Sequence, residues 1–260
     1  MSQPKGYVDP NYLDVGARMV QQIKLRSYAY TNVQPGQSIL DVGCGPATDT
    51  IALGQSVGPT GHVVGVDYDA AMIVEANQRA DKAGVGAWVE HRRADATALP
   101  WASGEFDACR SERLFQHLPN PEQALAEMAR VTKPGGWVVV LDTDWGTLST
   151  DTAETDIERR LARVKTERLC HNGHSGRQLH RLFKRQGLGD LTMEGFVVSS
   201  TNYALWRQIA KFDETEREAL AAGIVTDDEL QRWRTSLERA SADDVFFGSL
   251  SQVLVAGRKA

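Results

Sequence analysis

The chain is poor in cysteine and has no long apolar run, and both absences narrow what it can be. Its 260 residues include three scattered cysteines, too few for a disulfide framework and typical of a reducing compartment. No apolar stretch approaches the roughly 20 residues of a membrane-spanning helix. No apolar segment of a secretory signal follows the first residues. We therefore predict a cytoplasmic protein without a membrane span.

An excess of basic residues is also missing. The 29 lysines and arginines are outnumbered by 34 aspartates and glutamates, which gives a net charge of −5. A general nucleic-acid binder usually presents a basic patch instead. The length suits one α/β domain with additions. We expect the protein to bind a small molecule and not nucleic acid. We expect it to be a monomer or a homodimer.

A loop that contains two glycines is the most informative motif. A predicted strand from residue 38 leads into Asp41, Gly43 and Gly45, and the next predicted strand ends at Asp67. Glycines at a strand end let a ligand lie against bare backbone. An acid that closes the next strand can accept hydrogen bonds from both hydroxyls of a ribose. Together these residues predict a nucleoside site.

The loop lacks the third glycine of the dinucleotide fingerprint, Gly-x-Gly-x-x-Gly. Pro46 and Ala47 follow Gly45, and the loop opens on the carboxylate of Asp41. That carboxylate would repel a pyrophosphate and attract an amino group. A nucleoside with an ammonium group and no phosphates fits this pattern, which predicts S-adenosylmethionine. A strand-turn-helix corner without any ligand is the alternative interpretation.

Strands and helices alternate through the first half of the chain, which predicts a parallel, doubly wound sheet. Asp69 is the expected N-cap of one helix. The predicted strands cover 38–43, 62–67, 87–91, 106–110 and 137–142, and the predicted helices cover 9–33, 47–57, 69–83 and 121–132.

The pattern changes after residue 150. Ser175 and Gln178 have the spacing of a capping box, which predicts the start of a helix. Predicted helices cover 154–169, 176–186, 203–221 and 226–240, and predicted strands cover 191–199 and 244–256. We divide the single domain into an N-terminal helical lid (1–34), a cofactor-binding core (35–150) and a completion of the sheet with helical cap insertions (151–260).

A series of short motifs resembles the class I S-adenosylmethionine-dependent methyltransferases of small-molecule type, related to the ubiquinone and menaquinone methyltransferases. The motifs are Ile-Leu-Asp-Val-Gly-Cys-Gly at 39–45, Val-Gly-Val-Asp at 64–67, Arg-Ala-Asp-Ala at 93–96, Leu-Pro-Trp at 99–101, Phe-Asp at 106–107, His-Leu-Pro-Asn-Pro at 117–121 and Arg-Val-Thr-Lys-Pro-Gly-Gly at 130–136. The resemblance implies a Rossmann-like α/β fold with a mostly parallel seven-stranded sheet. The predicted strand at 244–256 would supply its antiparallel member.

The resemblance also implies which residues hold the cofactor. Those residues are Asp41, Gly43 and Gly45 for the methionine part, Asp67 for the ribose, Tyr68, Asp95 and Ala96 for the adenine, Met72 as an apolar wall, and Arg110 and Ser111 at the methionine end. Packing in a helix explains Met72 equally well. Arg18 or Arg26 is a candidate for the cofactor carboxylate.

Residues that face the acceptor should follow the fourth and fifth strands, because ligands sit beyond the carboxyl ends of parallel strands. The resemblance implies His117 as a general base, with Asp144 as its partner and Asp142 as the second option. An ordinary role in the loop is the alternative for His117. Three nearby charged residues are expected to pair with one another or to meet a polar substrate, namely Arg110, Glu112 and Arg113.

The run from Cys170 to His174 contains one cysteine and two histidines. Its spacing matches no closed tetrahedral zinc pattern, so we predict no metal site.

These observations predict an S-adenosylmethionine-dependent methyltransferase that acts on a small organic molecule of specialised or quinone-like metabolism, with oxygen as the preferred acceptor atom. One alternative changes the acceptor atom to nitrogen or carbon. Another keeps the cofactor in a structural role while the protein catalyses chemistry other than methyl transfer.

Overall fold

The protein is described by a computed structural model that covers residues 20–260. Its strands are β1 (Ser38–Val42), β2 (His62–Asp67), β3 (Val89–Arg93), β4 (Phe106–Glu112), β5 (Thr132–Thr150), β6 (Gly189–Ser200) and β7 (Gly248–Arg258). Its helices are α1 (Gln21–Thr31), α2 (Thr48–Val57), α3 (Ala70–Lys82), α4 (Pro121–Val131), α5 (Thr155–Arg168), α6 (Ser175–Arg185), α7 (Tyr203–Ile209), α8 (Phe212–Ala221) and α9 (Asp227–Ala242).

The strands form a seven-stranded sheet in the order β3-β2-β1-β4-β5-β7-β6. Strands β1 to β5 pair in parallel, whereas β7 runs antiparallel to β5 and to β6. The order reverses at β1 and β4, so their carboxyl ends open onto a crevice where ligands bind in such sheets. The predicted doubly wound, mostly parallel sheet is confirmed.

Apolar side chains are buried on both faces of the sheet. Successive side chains of a strand point to opposite faces, so one strand contributes to both cores. On β5, Val139 and Leu141 belong to a cluster with α1, α5 and α7 to α9. Val138 and Val140 point the other way and pack with α4 and α6. The C-terminal helices therefore share a core with the sheet. None of the helices between residues 20 and 260 is both long enough and apolar enough to cross a bilayer.

Two elements differ from the sequence predictions. Strand β5 runs on past Asp142 to Thr150 because β7 continues to pair with it, with an irregularity between Asp144 and Ser149. The predicted helix at 203–221 is two helices, α7 and α8. Lys211 separates them, since its φ of 51° lies in the left-handed region, and it precedes the first residue of α8.

Local signals at helix starts had mixed outcomes. The prediction for Asp69 is confirmed, because its side chain accepts a hydrogen bond from the Ala71 amide. The prediction of a capping box at Ser175 is wrong, because Ser175 is the first residue of α6 and makes no cap hydrogen bond. Its hydroxyl instead donates to Asp142 Oδ1 at 2.8 Å.

Of the predicted lid, residues 1–19 lie outside the described part of the chain.

Candidate functional site

The loop after β1 turns through two glycines with left-handed backbone. The φ values are 78° at Gly43 and 51° at Gly45. A Cβ at Gly43 would lie 3.0 Å from Leu114 Cβ, in the loop that follows β4. Glycine at this position permits both the turn and the close approach of Leu114. The predicted contact of Gly43 and Gly45 with the methionine part of S-adenosylmethionine stays a prediction.

Asp67 is fixed at the end of β2 by two backbone amides. Its Oδ2 accepts from the Gly45 amide at 3.0 Å, and its Oδ1 accepts from the Asp69 amide at 2.9 Å. Burial raises the pKa of this carboxyl, although these amides oppose the rise. Each carboxylate oxygen retains a lone pair for a further donor. This arrangement suits two ribose hydroxyls, and the predicted role of Asp67 stays a prediction.

The residues predicted for the adenine differ in exposure. Tyr68 is 63% exposed, and the Arg93 guanidinium carbon lies 5.2 Å from its ring centroid. Asp95 is exposed and accepts from the Thr97 amide at 2.8 Å. Met72 is buried in α3. Tyr68 and Asp95 remain accessible to an adenine, whereas the burial of Met72 agrees with its alternative explanation as a core residue.

A buried cluster of five charged side chains lies behind the glycine loop. Arg110 has no exposed surface, and its guanidinium contacts Asp41 at 3.0 Å, Asp49 at 3.2 Å and Glu112 at 2.6 Å. Lys24 of α1 lies 2.8 Å from both Asp49 and Glu112. Ionic contacts therefore join α1 to α2, β1 and β4.

The pKa values of the two aspartates in this cluster are shifted in opposite directions. Burial raises the pKa of Asp41 to about 7, although Arg110 opposes the rise. Burial also acts on Asp49, but Arg110 and Lys24 outweigh it and lower the pKa of that carboxyl. An ammonium group placed near Asp41 would favour its ionised form. The predicted contact between Asp41 and the cofactor ammonium stays a prediction.

The other charged residues after β4 are also paired. Arg113 Nε lies 3.1 Å from Glu112 Oε1, so the expected pairing of the charges at 110, 112 and 113 is confirmed. Ser111 donates to the Val42 carbonyl at 2.8 Å, which links the ends of β4 and β1. Arg26, a candidate for the cofactor carboxylate, lies 2.8 Å from Glu194. Arg18, the other candidate, lies outside the described residues.

His117 lies in a short loop that is tied to β5. The preceding residue, Gln116, donates its amide to Asp142 Oδ2 at 3.3 Å, and its side-chain oxygen accepts from the Trp145 indole. Leu114, in the same loop, packs beside Gly43. The predicted base is thus carried by a loop that borders the glycine loop.

Burial, reinforced by Lys165, Lys211 and Arg113, lowers the pKa of His117 to about 4. The imidazole is therefore neutral near pH 7 and able to accept a proton. Burial raises the pKa of Asp142 to about 6, against the hydrogen bond from Ser175. Two titratable groups with displaced pKa values at one loop are typical of a functional site.

Asp144 contacts basic side chains of the segment around α6. Its Oδ2 lies 2.5 Å from Arg177 Nε, and its Oδ1 lies 3.6 Å from His174 Nδ1. Among the described contacts, no hydrogen bond joins Asp144 to His117, whereas Asp142 binds the amide of the residue before it. The predicted partnership of His117 with Asp144 stays a prediction. Within residues 20–260, no group of three or more histidine, cysteine, aspartate or glutamate side chains could hold a metal ion.

Sequence reasoning missed several residues of this region. Asp49 in the first turn of α2 is indistinguishable from an ordinary helix-favouring acid. Lys165 had a usable signal, because it follows Val164 and lies four residues after Leu161 on the buried face of α5. A charge within an apolar stripe is unusual and points to a special environment.

Comparisons with known proteins agree with this geometry. Residues 40–140 match the methyltransferase domain family. Over 250 residues the chain is 32% identical to an uncharacterised 37.1 kDa protein of transposon Tn4556 from Streptomyces fradiae, across 96% of this chain and 70% of that protein. It is 45% identical over 118 residues to the demethylmenaquinone methyltransferase of Halalkalibacterium halodurans, across 45% of this chain and 47% of that enzyme. This match spans about half the length of that curated relative.

A similar solved structure is the geranyl diphosphate C-methyltransferase of Streptomyces coelicolor, crystallised with Mg²⁺, geranyl diphosphate and S-adenosylhomocysteine. The TM-score is 0.59 at 18% identity, across 99% of this chain and 86% of that one. At this identity the likeness concerns the fold alone. Because the domain match covers the strands that build the glycine loop and Asp67, the chain belongs to the class I methyltransferases whose cofactor is S-adenosylmethionine.

Proposed function

We propose that this protein transfers a methyl group from S-adenosylmethionine to an oxygen atom of a small organic acceptor. The observation that carries the proposal is the placement of His117, a neutral imidazole, on the loop whose Leu114 packs against Gly43. An acceptor held between these loops would meet a proton acceptor on one side and the methyl donor on the other.

When bound, S-adenosylmethionine supplies an electrophilic methyl group on a positively charged sulfur. His117 accepts the hydroxyl proton of the acceptor as the new bond to carbon forms. Asp142 positions the loop that carries His117 through the Gln116 amide. Asp67 and the glycine loop hold the nucleoside, so the two reactants meet in one orientation.

The low pKa of His117 restricts which acceptors it can serve. A base with a pKa of about 4 is weak, so it removes a proton efficiently only from an acidic hydroxyl group. Phenols and enols come closer to that condition than simple alcohols do, and a carboxylic acid is already ionised near pH 7 and needs no base. The neighbouring cations Lys165 and Arg113 would also stabilise an acceptor that has lost its proton.

A carbon acceptor is the second candidate. The relative from Halalkalibacterium halodurans is named as a demethylmenaquinone methyltransferase, and the similar structure from Streptomyces coelicolor is named as a C-methyltransferase. Carbon beside an ionised hydroxyl is nucleophilic, so the same base would serve. A nitrogen acceptor and a non-methyl reaction are the remaining alternatives.

The test uses S-adenosylmethionine labelled with ¹³C in its methyl group and a panel of phenols, enols, carboxylic acids and amines. Product NMR should show the label on oxygen, at a chemical shift that separates it from a methyl group on carbon or nitrogen. His117→Gln should abolish most of the turnover and leave the affinity for S-adenosylhomocysteine unchanged. Label on carbon would select the second candidate. Tight cofactor binding with no labelled product across the panel would reject methyl transfer.

A further inference from the structure

Lys165 of α5 is a buried cation without a carboxylate partner among the described residues. It is 4% exposed, and its Nζ lies 4.3 Å from the centroid of the Trp145 ring. Lysine is almost never buried without a partner, because removing its charge from water is costly. The ring faces this charge with its negative π surface, which attracts a cation. That contact offsets only part of the cost.

The position of Lys165 is beside the acceptor face. Trp145 lies on β5 just after Asp142, and its indole donates to Gln116, the residue before His117. The Asn172 amide donates to the Gln116 carbonyl at 3.0 Å, so the segment after α5 contacts the same loop. One indole ring therefore contacts both the Lys165 ammonium and the loop of the predicted base.

The charges that act on this ammonium are of both signs. Lys165, Lys211 and Arg113 each act on His117 as neighbouring cations. Two acids act on Lys165. One is the Cys170 thiol, whose own pKa is raised by burial, and the other is Glu214, which lies 3.8 Å from Lys211 Nζ and whose side chain is 44% exposed. Arg113 is paired with Glu112. Lys165 is thus a buried cation that forms no ion pair among the described residues.

We propose that Lys165 binds an oxyanion of the acceptor, a carboxylate or an ionised phenol or enol on a small and mainly apolar molecule. This inference rests on the proposed function and deepens it by naming the acceptor class. The buried Trp145 ring places a flat apolar group beside the ammonium, so an aromatic or conjugated acid matches both features. The ion pair would form in a water-poor site, where charge-assisted hydrogen bonds are strong.

The test is isothermal titration of the full chain saturated with S-adenosylhomocysteine. The probes are benzoate, phenyl phosphate and benzamide, which share a ring and differ in charge. Benzoate should bind at least about tenfold more tightly than neutral benzamide, equal to about 1.4 kcal/mol. Phenyl phosphate distinguishes a site for a phosphorylated acceptor from one for a carboxylate, since the larger dianion would then bind more tightly.

Lys165→Met should remove the preference for benzoate, and Lys165→Arg should keep much of it. Lys184→Met, at an exposed position on α6, is the matched control and should leave binding unchanged. A lysine with a packing role alone would lower the affinities for benzoate and benzamide equally. Equal binding of the two probes to the unaltered protein, absence of binding by both anions, or an unchanged preference in Lys165→Met would each overturn the inference. These readouts need no methyl transfer, so they separate its failure from failure of the proposed function.

Discussion

At the scale of single residues, Asp67 is held in place before any ligand is bound. The amides of Gly45 and Asp69 fix the two oxygens of its carboxylate, so its orientation does not depend on a ribose. A preorganised acceptor costs little entropy when a ligand binds. The hydrogen bonds that Asp67 accepts from a ribose should therefore contribute to ligand affinity with little loss to conformational entropy.

Asp67→Ala should weaken binding of S-adenosylhomocysteine by about 2 kcal/mol, roughly thirtyfold, through loss of hydrogen bonds to a charged acceptor. Isothermal titration measures the change. The matched control is Asp69→Ala, which removes the N-cap of α3 and leaves the backbone amide that Asp67 uses. If Asp67→Ala bound as tightly as the control, the ribose assignment would be wrong.

His117 should titrate far below an ordinary histidine. Burial and nearby cations favour its neutral form, so its NMR titration midpoint should lie near pH 4. Because the unfolded histidine has a higher pKa, about 6.5, His117 should reduce stability as the pH falls from about 6.5 to about 4. His91 is expected to have a similar midpoint, since burial lowers its pKa to about 4 as well. His117→Gln assigns the resonance, and a midpoint near 6.5 would contradict the buried environment.

At the scale of elements, the buried charge cluster attaches α1 to the rest of the fold. Lys24 is the contribution of α1, and its contacts with Asp49 and Glu112 are both 2.8 Å. A buried ion pair is weak evidence for net stability, but removal of one partner leaves an uncompensated charge. Lys24 is therefore the charged side chain through which α1 joins this cluster.

Lys24→Met should lower the free energy of unfolding by about 3–5 kcal/mol, because Asp49 and Glu112 would lose a buried cation. Chemical denaturation followed by circular dichroism measures the loss. Lys82→Met, at an exposed position in the last turn of α3, should change stability little. Adding Asp49→Asn to Lys24→Met should restore part of the loss. No restoration would argue against uncompensated charge as the cause.

Elements with a regular pattern could be predicted from the sequence. The apolar run of β5 and the alternation of strands with helices up to residue 142 led to the right sheet. The break between α7 and α8 was missed because neither Gly nor Pro marks it, although Lys211 has a left-handed φ. The contact of Lys24 with Glu112 was missed because the two residues are far apart in sequence and neither has a distinctive local pattern.

At the scale of the whole molecule, the sheet and the C-terminal helices share one core. Trp233 of α9 is 1% exposed, and its ring packs edge-on against Phe212 at 5.7 Å between centroids. Both belong to the cluster that includes Val139 and Leu141 of β5. This continuity supports the predicted single domain, which stays a prediction.

Trp233→Ala should cost about 3–5 kcal/mol through lost burial and the cavity that remains. Unfolding should nevertheless stay a single transition, because the helices and the sheet bury the same cluster. Tryptophan fluorescence and far-UV circular dichroism should give coincident denaturation curves for the variant and the unaltered protein. Two separate transitions would indicate that residues 151–260 unfold as their own unit.

The position of β7 has a consequence for how the chain folds. This last strand lies between β5 and β6, and Arg258 contacts Gly135 across 123 positions of sequence. Pairings between such distant residues raise the contact order and slow folding, since a long loop must close first. During synthesis, β5 and β6 are both made before the strand that joins them. Until β7 has been made, the edges of β5 and β6 that it covers are open to other nascent chains, so its pairing protects these two edges from aggregation.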